Sequence, residues 1–180
     1  MFERLVGKRV PLFEINATLA NRSISKISLQ QYSNDGKWII LIFYPMDFTS
    51  ICSSEITTIS DHYEEIEELN AVVLGISVDS VNCHAAWMNT SRLENGIGDI
   101  AFALGSDMNH RICKQFGVLD EEKGLAMRGT FIVSPDGILM YENVFVENIG
   151  RDVDELLRVL QALQMGGLCP ANWRPGMPVL

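Results

Sequence analysis

The sequence contains no closely spaced pair of cysteines. Its four cysteines are Cys52, Cys83, Cys113 and Cys169, so no Cys-x-x-Cys motif occurs. This absence argues against a structural zinc site and against a thioredoxin-type dithiol, because both need neighbouring thiols. In a reducing compartment, isolated cysteines are either catalytic or buried as apolar residues.

Long apolar runs and clusters of basic residues are missing as well. No run approaches the ~18 apolar residues of a membrane-spanning helix, and residues 1–8 carry charges where a signal peptide needs an apolar stretch. The 14 Lys and Arg residues are outnumbered by 23 Asp and Glu residues, which gives a net charge of -9. An acidic chain without a basic stripe binds nucleic acid poorly. We therefore expect a cytoplasmic protein that binds neither nucleic acid nor membrane.

The composition is typical of one globular domain that begins with a strand–helix–strand unit. With 180 residues, 47% of them hydrophobic and 21% charged, the chain can bury a large core. Continuous apolar runs at 38–44 and 71–78 are typical of parallel strands that are covered on both faces. Between them, apolar residues at helical spacing predict a helix over 53–69, which completes a βαβ unit.

The second half of the chain predicts a hairpin and a closing helix. Strands over 128–133 and 138–145 flank a Ser-Pro-Asp-Gly turn at 134–137. An amphipathic helix over 152–165 follows, and the glycines after it end it.

This order of elements predicts an α/β, thioredoxin-like fold with a central mixed β-sheet flanked by helices. Residues 1–37 form an N-terminal extension of short strands, at Val10–Phe13 and at Ser28-Leu29. We expect one domain over 1–165, followed by an irregular C-terminal tail over 166–180 that carries the last cysteine.

Cys52 carries the strongest chemical signal. It follows the apolar run at 38–44 and precedes the helical pattern, so it lies at a strand-to-helix junction. Backbone N–H groups and the positive end of a helix dipole favour thiolate over thiol there. In open α/β sheets, ligand sites cluster at the carboxyl ends of the strands. A thiolate at that edge is a nucleophile.

Several segments resemble the peroxiredoxins, a family of cysteine peroxidases. Pro45, Thr49 and Cys52 have the spacing Pro-x-x-x-Thr-x-x-Cys of the family's active-site motif. Other segments resemble further family blocks in the same order, from about residue 40 to residue 176: Ser77–Ser80 with Trp87, Arg128–Val133, Gly150–Glu155 and Cys169–Gly176. The Cys-Pro-Ala-Asn-Trp sequence at 169–173 resembles the typical 2-Cys subgroup, which includes the alkyl hydroperoxide reductase C subunits and thioredoxin peroxidases.

The resemblance implies an enzyme that reduces hydrogen peroxide and small organic hydroperoxides without metal, haem or flavin of its own. Oxidised Cys52 would be a sulfenic acid, which condenses readily with a thiol. The family pattern implies that this thiol is Cys169 of another subunit, in a homodimer and often in a ring of five dimers. An external dithiol reductant, either thioredoxin or a flavoprotein disulfide reductase, would close the cycle.

A thiolate that attacks a peroxide needs a cation, donors for the two oxygens and partial exclusion of water. Arg128 is the candidate cation because it opens an apolar strand, although an ordinary strand-edge arginine is the alternative. Thr49 offers a hydroxyl at the helix entrance, a role compatible with an N-cap. By resemblance, the ring of Pro45 shields the thiolate from water.

Two charged residues could support that cation. Glu55 favours the helix dipole from the first turn, and in the family an acid at this position helps to orient the arginine. Arg151 either completes this network or is a surface arginine at a helix entrance.

The remaining candidates carry weaker signals. Cys83 and Cys113 match no family block, and we expect both to be buried apolar filler. His62, His84 and His110 lack partners at catalytic or metal spacing, and an arginine can activate the thiolate without a histidine base.

One departure and two alternatives remain. Ser53 stands where the family usually has proline, which puts the rate of disulfide formation in question. An oligomeric holdase chaperone or a peroxide relay is a second reading, which a Cys52→Ser variant that still suppresses aggregation would favour. A disulfide isomerase on the same fold is disfavoured by the missing Cys-x-x-Cys.

Overall fold

The computed structural model describes residues 4–180, so part of the charged N-terminal segment and the first three residues of the predicted 1–165 domain lie outside it. The strands are β1 (Glu14–Thr18), β2 (Ile24–Ser28), β3 (Trp38–Phe43), β4 (Ala71–Ser77), β5 (Ala103–Ser106), β6 (Leu119–Asp120), β7 (Leu125–Ala126), β8 (Arg128–Val133) and β9 (Leu139–Phe145). The helices are α1 (Leu29–Asn34), α2 (Ser50–Asp61), α3 (Tyr63–Glu68), α4 (Val81–Met88), α5 (Arg111–Gln115) and α6 (Val153–Met165), with a 3-10 turn at Arg92–Glu94. None of these helices is long and apolar enough to cross a membrane.

Seven strands form one mixed sheet in the order β2-β1-β5-β4-β3-β8-β9. β4 pairs in parallel with β3 and with β5, whereas β8 pairs antiparallel with β3 and with β9. The predicted βαβ unit, the hairpin and the mixed sheet are therefore confirmed. Because Phe43 lies opposite Gly129, the carboxyl end of β3 and the amino end of β8 meet at one edge of the sheet.

The central strand β3 is apolar along its length because helices cover both faces of the sheet. Ile40 and Ile42 belong to a hydrophobic cluster with residues of α2, α3, α4 and α6. Ile39, Leu41 and Phe43 belong to a second cluster with residues of α1 and α5. This division follows from the alternation of side chains across a strand, and all five side chains are fully buried.

Of the two predicted N-terminal strand positions, Val10–Phe13 is wrong and Ser28-Leu29 is right for Ser28 alone, which ends β2. Among the described residues the first strand is β1, since Val10–Phe13 contains a proline, which cannot donate to a strand ladder. Leu29 begins α1 instead of belonging to a strand. β1 alternates between exposed and buried residues and pairs with both β2 and β5. The N-terminal extension therefore widens the main sheet.

The helix predicted over 53–69 is also corrected, because it is two helices that meet at His62. The backbone of His62, with φ -100 and ψ 12, departs from helical values, although neither Gly nor Pro marks the break. α2 begins at Ser50, three residues earlier than predicted. Cys52 therefore lies within the first helical turn.

The closing helix and the tail agree closely with the sequence pattern. Asp152 caps α6 by accepting a hydrogen bond from the Glu155 N–H, and Gly166 ends the helix with φ 66. The tail then packs back on α6, because Trp173 is buried at 2% exposure and its carbonyl accepts a hydrogen bond from Arg158 Nη1 at 3.1 Å.

Candidate active site

Cys52 lies in the first turn of α2, shortly after the chain leaves β3. Thr49 has the extended backbone of an N-cap, with φ -109 and ψ 145, and the helix begins at the next residue. The Cys52 side chain is fully buried, with 0% exposure. The thiol thus has a helix amino end beside it, where backbone N–H groups favour negative charge, and it is shielded from bulk water.

Arg128 begins β8 and contacts the thiol sulfur. The pairing of Phe43 with Gly129 brings Arg128 to the edge of the sheet from which the loop to Cys52 departs. Its Nη1 lies 3.3 Å from Cys52 Sγ, and its Nε donates to the carbonyl oxygen of Glu147 at 2.6 Å. Arg128 is a buried cation and not an ordinary strand-edge arginine.

Glu55 lies about one turn after Cys52 and holds two arginines together. Its Oε2 accepts hydrogen bonds from Arg128 Nη1 at 2.6 Å and from Arg151 Nη1 at 2.7 Å. The exposure of these three side chains is at most 4%. One carboxylate and two guanidinium groups leave one excess positive charge in a buried place. A Cys52 thiolate would balance that charge.

The Arg151 side chain is buried and connects several elements, so the alternative interpretation as a surface arginine is wrong. Its Nε donates to Thr130 Oγ1 at 2.8 Å, and its Nη2 donates to the carbonyl oxygens of Gly129, at 2.9 Å, and Phe43. Its backbone N–H also donates to Glu55 Oε1 at 2.9 Å. Burial lowers the pKa of the Arg151 guanidinium, and the Glu55 carboxylate opposes that shift.

The loop between β3 and α2 carries the other two predicted residues. Pro45 is buried just after β3 ends, where its missing N–H removes no ladder bond. Thr49 does not cap the helix with its side chain, because its Oγ1 donates to the carbonyl oxygen of Met46 at 2.9 Å. Phe48 has φ 58, a left-handed backbone that is rare outside glycine and that the surrounding structure must hold in place.

Cys169 is not brought next to Cys52. It follows the carboxyl end of α6, where its Sγ lies 3.7 Å from the carbonyl oxygen of Ala162, and it is half-buried. All four cysteines are free thiols. Of the seven predicted site residues, Cys169 is the one that stands apart.

Sequence reasoning missed a buried polar network beside this loop. His84 Nδ1 lies 2.7 Å from Asp47 Oδ2, and the other Asp47 oxygen accepts a hydrogen bond from Tyr44 at 2.9 Å. The expectation that His84 lacks a partner is therefore wrong. Burial, and then the Asp47 carboxylate, raise the pKa of Tyr44 well above its usual value. Asp47, a charged residue shortly after the apolar strand β3, was the one signal for this network.

The two unassigned cysteines have different surroundings. Cys113 is buried, as expected, but Cys83 is half-buried and has its Sγ 3.8 Å from Asp79 Oδ1. Burial, followed by Asp47 and Asp79, raises the pKa of the Cys83 thiol to about 12. Ligand atoms of Asp47, Asp79 and Cys83 lie within 4.8 Å of one another. The two carboxylates already accept hydrogen bonds from protein donors, so hydrogen bonding within the protein explains why these residues lie together, and no metal ion is needed to explain it.

These features together define a class of protein. A buried cysteine at a helix amino end, contacted by a buried arginine on a mixed sheet with helices on both faces, defines a thiol peroxidase of thioredoxin-like fold. The pattern of the AhpC/TSA family matches residues 6–142, and the chain belongs to that family.

Individual relatives agree with this assignment. The Bacillus subtilis (strain 168) protein YkuU, which carries the name of a peroxiredoxin, is 54% identical over 180 residues and is covered over the full length of both chains. The chloroplastic 2-Cys peroxiredoxin BAS1 of Spinacia oleracea is 46% identical over 176 residues, which are 96% of this chain and 66% of that protein. The crystal structure of reduced 2-Cys peroxiredoxin from Plasmodium vivax superposes with a TM-score of 0.94 at 36% identity, over 98% of this chain and 93% of that one.

The family and the structural match confirm two predictions. The fold is the predicted thioredoxin-like α/β fold, and the chain is a thiol-dependent peroxidase that acts on peroxides and needs a reductant. The alternative of a holdase chaperone or relay is not favoured.

Proposed function

We propose that Cys52 attacks the peroxide and that Cys169 of a second subunit resolves the oxidised cysteine. One observation carries this proposal: a single atom, Arg128 Nη1, contacts both Cys52 Sγ, at 3.3 Å, and the Glu55 carboxylate, at 2.6 Å. The arginine is thereby held against the sulfur, and the remaining N–H groups of its guanidinium can donate to a peroxide oxygen.

The first chemical step transfers one oxygen to sulfur. The Cys52 thiolate attacks one peroxide oxygen, an S–O bond forms and the O–O bond breaks. The leaving alkoxide or hydroxide takes up a proton and departs as alcohol or water, so the peroxide is reduced and Cys52 is oxidised to a sulfenic acid. Arg128 stabilises the charge that moves onto the leaving oxygen, as a preorganised donor does in other transition states.

The other site residues support this step. Thr49 is free to turn its hydroxyl from the Met46 carbonyl towards a bound peroxide, since a hydroxyl rotates to suit its partner. Pro45 presents a buried ring without a donor and thereby limits the access of water. Glu55 and Arg151 orient Arg128 through the shared carboxylate.

The resolving step takes place between subunits. The backbone N–H of Arg151 contacts Glu55, so the amino end of α6 lies beside the site, whereas Cys169 contacts Ala162 further along α6. At 1.5 Å per residue, these two points are about 15 Å apart along the helix. A disulfide needs Cα atoms within about 7 Å. A Cys169 from another chain therefore suits the reaction better than the residue of the same chain.

The sheet offers a surface for that second copy. β9 is an edge strand of the main sheet, and its Met140 and Val144 are exposed by 38% and 42%. An exposed strand edge presents unpaired backbone groups that a second copy can pair with. We propose a homodimer and, by similarity to the family, its assembly into a ring of five dimers.

The wider context completes the proposal. The reductant is an external dithiol, either thioredoxin or a flavoprotein disulfide reductase, because an intersubunit disulfide is opened by thiolate attack. The enzyme works in the cytoplasm, where lone cysteines remain reduced.

The chain divides into two parts. Residues 1–165 form the peroxidase domain and residues 166–180 form the tail that carries Cys169, with the left-handed Gly166 at the boundary.

A peroxide-consumption assay with each candidate reductant tests these roles. Cys52→Ser should consume no peroxide above background, whereas Cys169→Ser should consume one equivalent and then stop. Cys83→Ser is the matched control and should turn over at the wild-type rate. Full turnover by Cys169→Ser with a thioredoxin system would contradict the resolving role.

A further inference from the structure

Ser53, the residue directly after Cys52, holds the first turn of α2 through two hydrogen bonds. Its backbone N–H donates to the carbonyl oxygen of Thr49 at 2.8 Å. Its hydroxyl donates to the carbonyl oxygen of Asn95, also at 2.8 Å. The Ser53 side chain is buried, with 8% exposure. Both of its donors thus fasten the turn that carries the reactive sulfur.

The acceptor of the Ser53 hydroxyl belongs to a rigid segment. The same Asn95 carbonyl accepts a hydrogen bond from Trp87 Nε1 at 2.7 Å, and Trp87 is fully buried. The next residue, Gly96, packs so closely that an added Cβ would lie 2.0 Å from the carbonyl oxygen of Thr90. The bond therefore ties the turn of Cys52 to a fixed point and not to a movable loop.

The turn has to open before Cys52 can form a disulfide. The side chain of Cys52 is fully buried and its sulfur faces Arg128, whereas a disulfide brings two sulfur atoms within about 2.05 Å. A thiol that arrives from outside cannot come so close while the turn is folded. The stability of the turn therefore sets how often the sulfenic acid is available to that thiol.

We propose that Ser53 is a positioning residue that keeps this turn closed and thereby sets the fate of the Cys52 sulfenic acid. In the closed turn, a second peroxide adds one oxygen to the sulfur, its O–O bond breaks, and a sulfinic acid and an alcohol or water form. In the open turn, Cys169 attacks the sulfenic sulfur, an S–S bond forms and water leaves. The Cys169 branch rests on the proposed function.

The chemistry of proline gives the direction of the effect. A proline has neither a backbone N–H nor a hydroxyl, so it can make neither of the two bonds of Ser53. This chain should therefore hold its turn closed more of the time than a chain with proline at position 53. More of its Cys52 should reach the sulfinic acid at the same peroxide concentration.

The test compares three variants of the full-length enzyme during turnover at fixed peroxide. Ser53→Ala removes the hydroxyl alone, and Ser53→Pro removes both donors. Ser54→Ala is the matched control, because the Ser54 hydroxyl is exposed and donates within its own helix, to the carbonyl oxygen of Ile51 at 2.7 Å. Mass spectrometry gives the ratio of sulfinic acid to disulfide at Cys52. We expect a fall of about fivefold for Ser53→Ala, the worth of one hydrogen bond, a larger fall for Ser53→Pro, and no change for Ser54→Ala.

Hydrogen exchange of the peptide that contains Cys52 measures how often the turn opens, without any reaction of Cys52 with peroxide. Exchange should rise about fivefold in reduced Ser53→Ala and stay unchanged in Ser54→Ala. Wild-type exchange in Ser53→Ala, or an equal rise in both variants, would overturn the role of Ser53. If the exchange rises as expected but the wild type forms no disulfide, the Cys169 assignment fails and the Ser53 contact stands.

Discussion

His84 Nδ1 lies 2.7 Å from Asp47 Oδ2, and neither side chain has any exposed surface. The other ring nitrogen of His84 lies 3.2 Å from the carbonyl oxygen of Gly105 in β5. Asp47 belongs to the loop that leads into the turn of Cys52. The pair therefore ties α4 and β5 to the loop that positions the reactive cysteine.

Replacing His84 should destabilise the protein strongly. In His84→Leu, the Asp47 carboxylate stays buried and loses its histidine partner, and removing one partner of a buried hydrogen bond to a charged group costs about 1–3 kcal/mol or more. Urea unfolding would measure the loss. His62→Leu is the control, because the His62 ring makes an exposed contact with the carbonyl oxygen of Thr58 in α2. If both variants lose the same free energy of unfolding, the contact between His84 and Asp47 makes no specific contribution to stability.

Removing the Arg128 charge should slow the chemical step. In Arg128→Met, the side chain keeps part of its bulk but loses the donor to Cys52 Sγ, so we expect the rate of peroxide reduction to fall by about 10²–10³-fold, as for other preorganised donors. A single-turnover stopped-flow measurement isolates this step. Arg92→Met is a matched control, since Arg92 pairs with the exposed Asp61. A rate within threefold of wild type, about 0.7 kcal/mol in barrier height, would refute the assignment of Arg128.

Mild peroxide treatment should link two chains. The expected product is a covalent dimer of about twice 20.1 kDa on a non-reducing gel, because the sulfenic acid of Cys52 condenses with Cys169 of the partner. Cys52→Ser and Cys169→Ser should each abolish it, whereas Cys113→Ser should not. A dimer that persists without Cys169 would point to another resolving thiol.

Cys83 should resist alkylation at neutral pH although it is half-buried. Burial, Asp47 and Asp79 raise the pKa of its thiol to about 12, and only the thiolate reacts with iodoacetamide. Labelling of native protein at pH 8 should therefore be slow at Cys83, should accelerate with rising pH, and should become rapid after denaturation. Peptide mass spectrometry follows the site, and fast labelling of the native protein at pH 8 would be incompatible with this environment.

The local pattern of the sequence predicts those parts of the site that depend on neighbouring residues. The apolar run before Cys52 and the helical pattern after it locate the thiol at a helix amino end, and the strand that Arg128 begins is visible as an apolar run. The predicted start of α2 is three residues later than the observed one, because Thr49, Ser50 and Ser53 are all acceptable residues at a helix amino end. Pattern alone cannot choose between them.

The contacts that pattern reasoning could not supply are those between distant parts of the chain. Glu55 bridges arginines that are 73 and 96 positions away, and His84 meets Asp47 across 37 positions. No periodicity encodes such pairs, because they arise only when β8 docks against β3 and α4 against the sheet. Resemblance to a family proposed the contacts of Glu55. For the pair of His84 and Asp47, the sequence offered only a charged residue shortly after an apolar strand, which does not name its partner.

The anchoring of Arg151 has a consequence for redesign of the enzyme. Two of its acceptors are the main-chain carbonyls of Phe43 and Gly129, which remain whatever side chains are substituted there. Met46 and Phe48, by contrast, are each exposed by 41% on the loop beside the cysteine. Substitutions of Met46 and Phe48 can therefore adapt the enzyme to bulkier hydroperoxides. The ion-paired group of Glu55, Arg128 and Arg151 keeps its geometry when they are made.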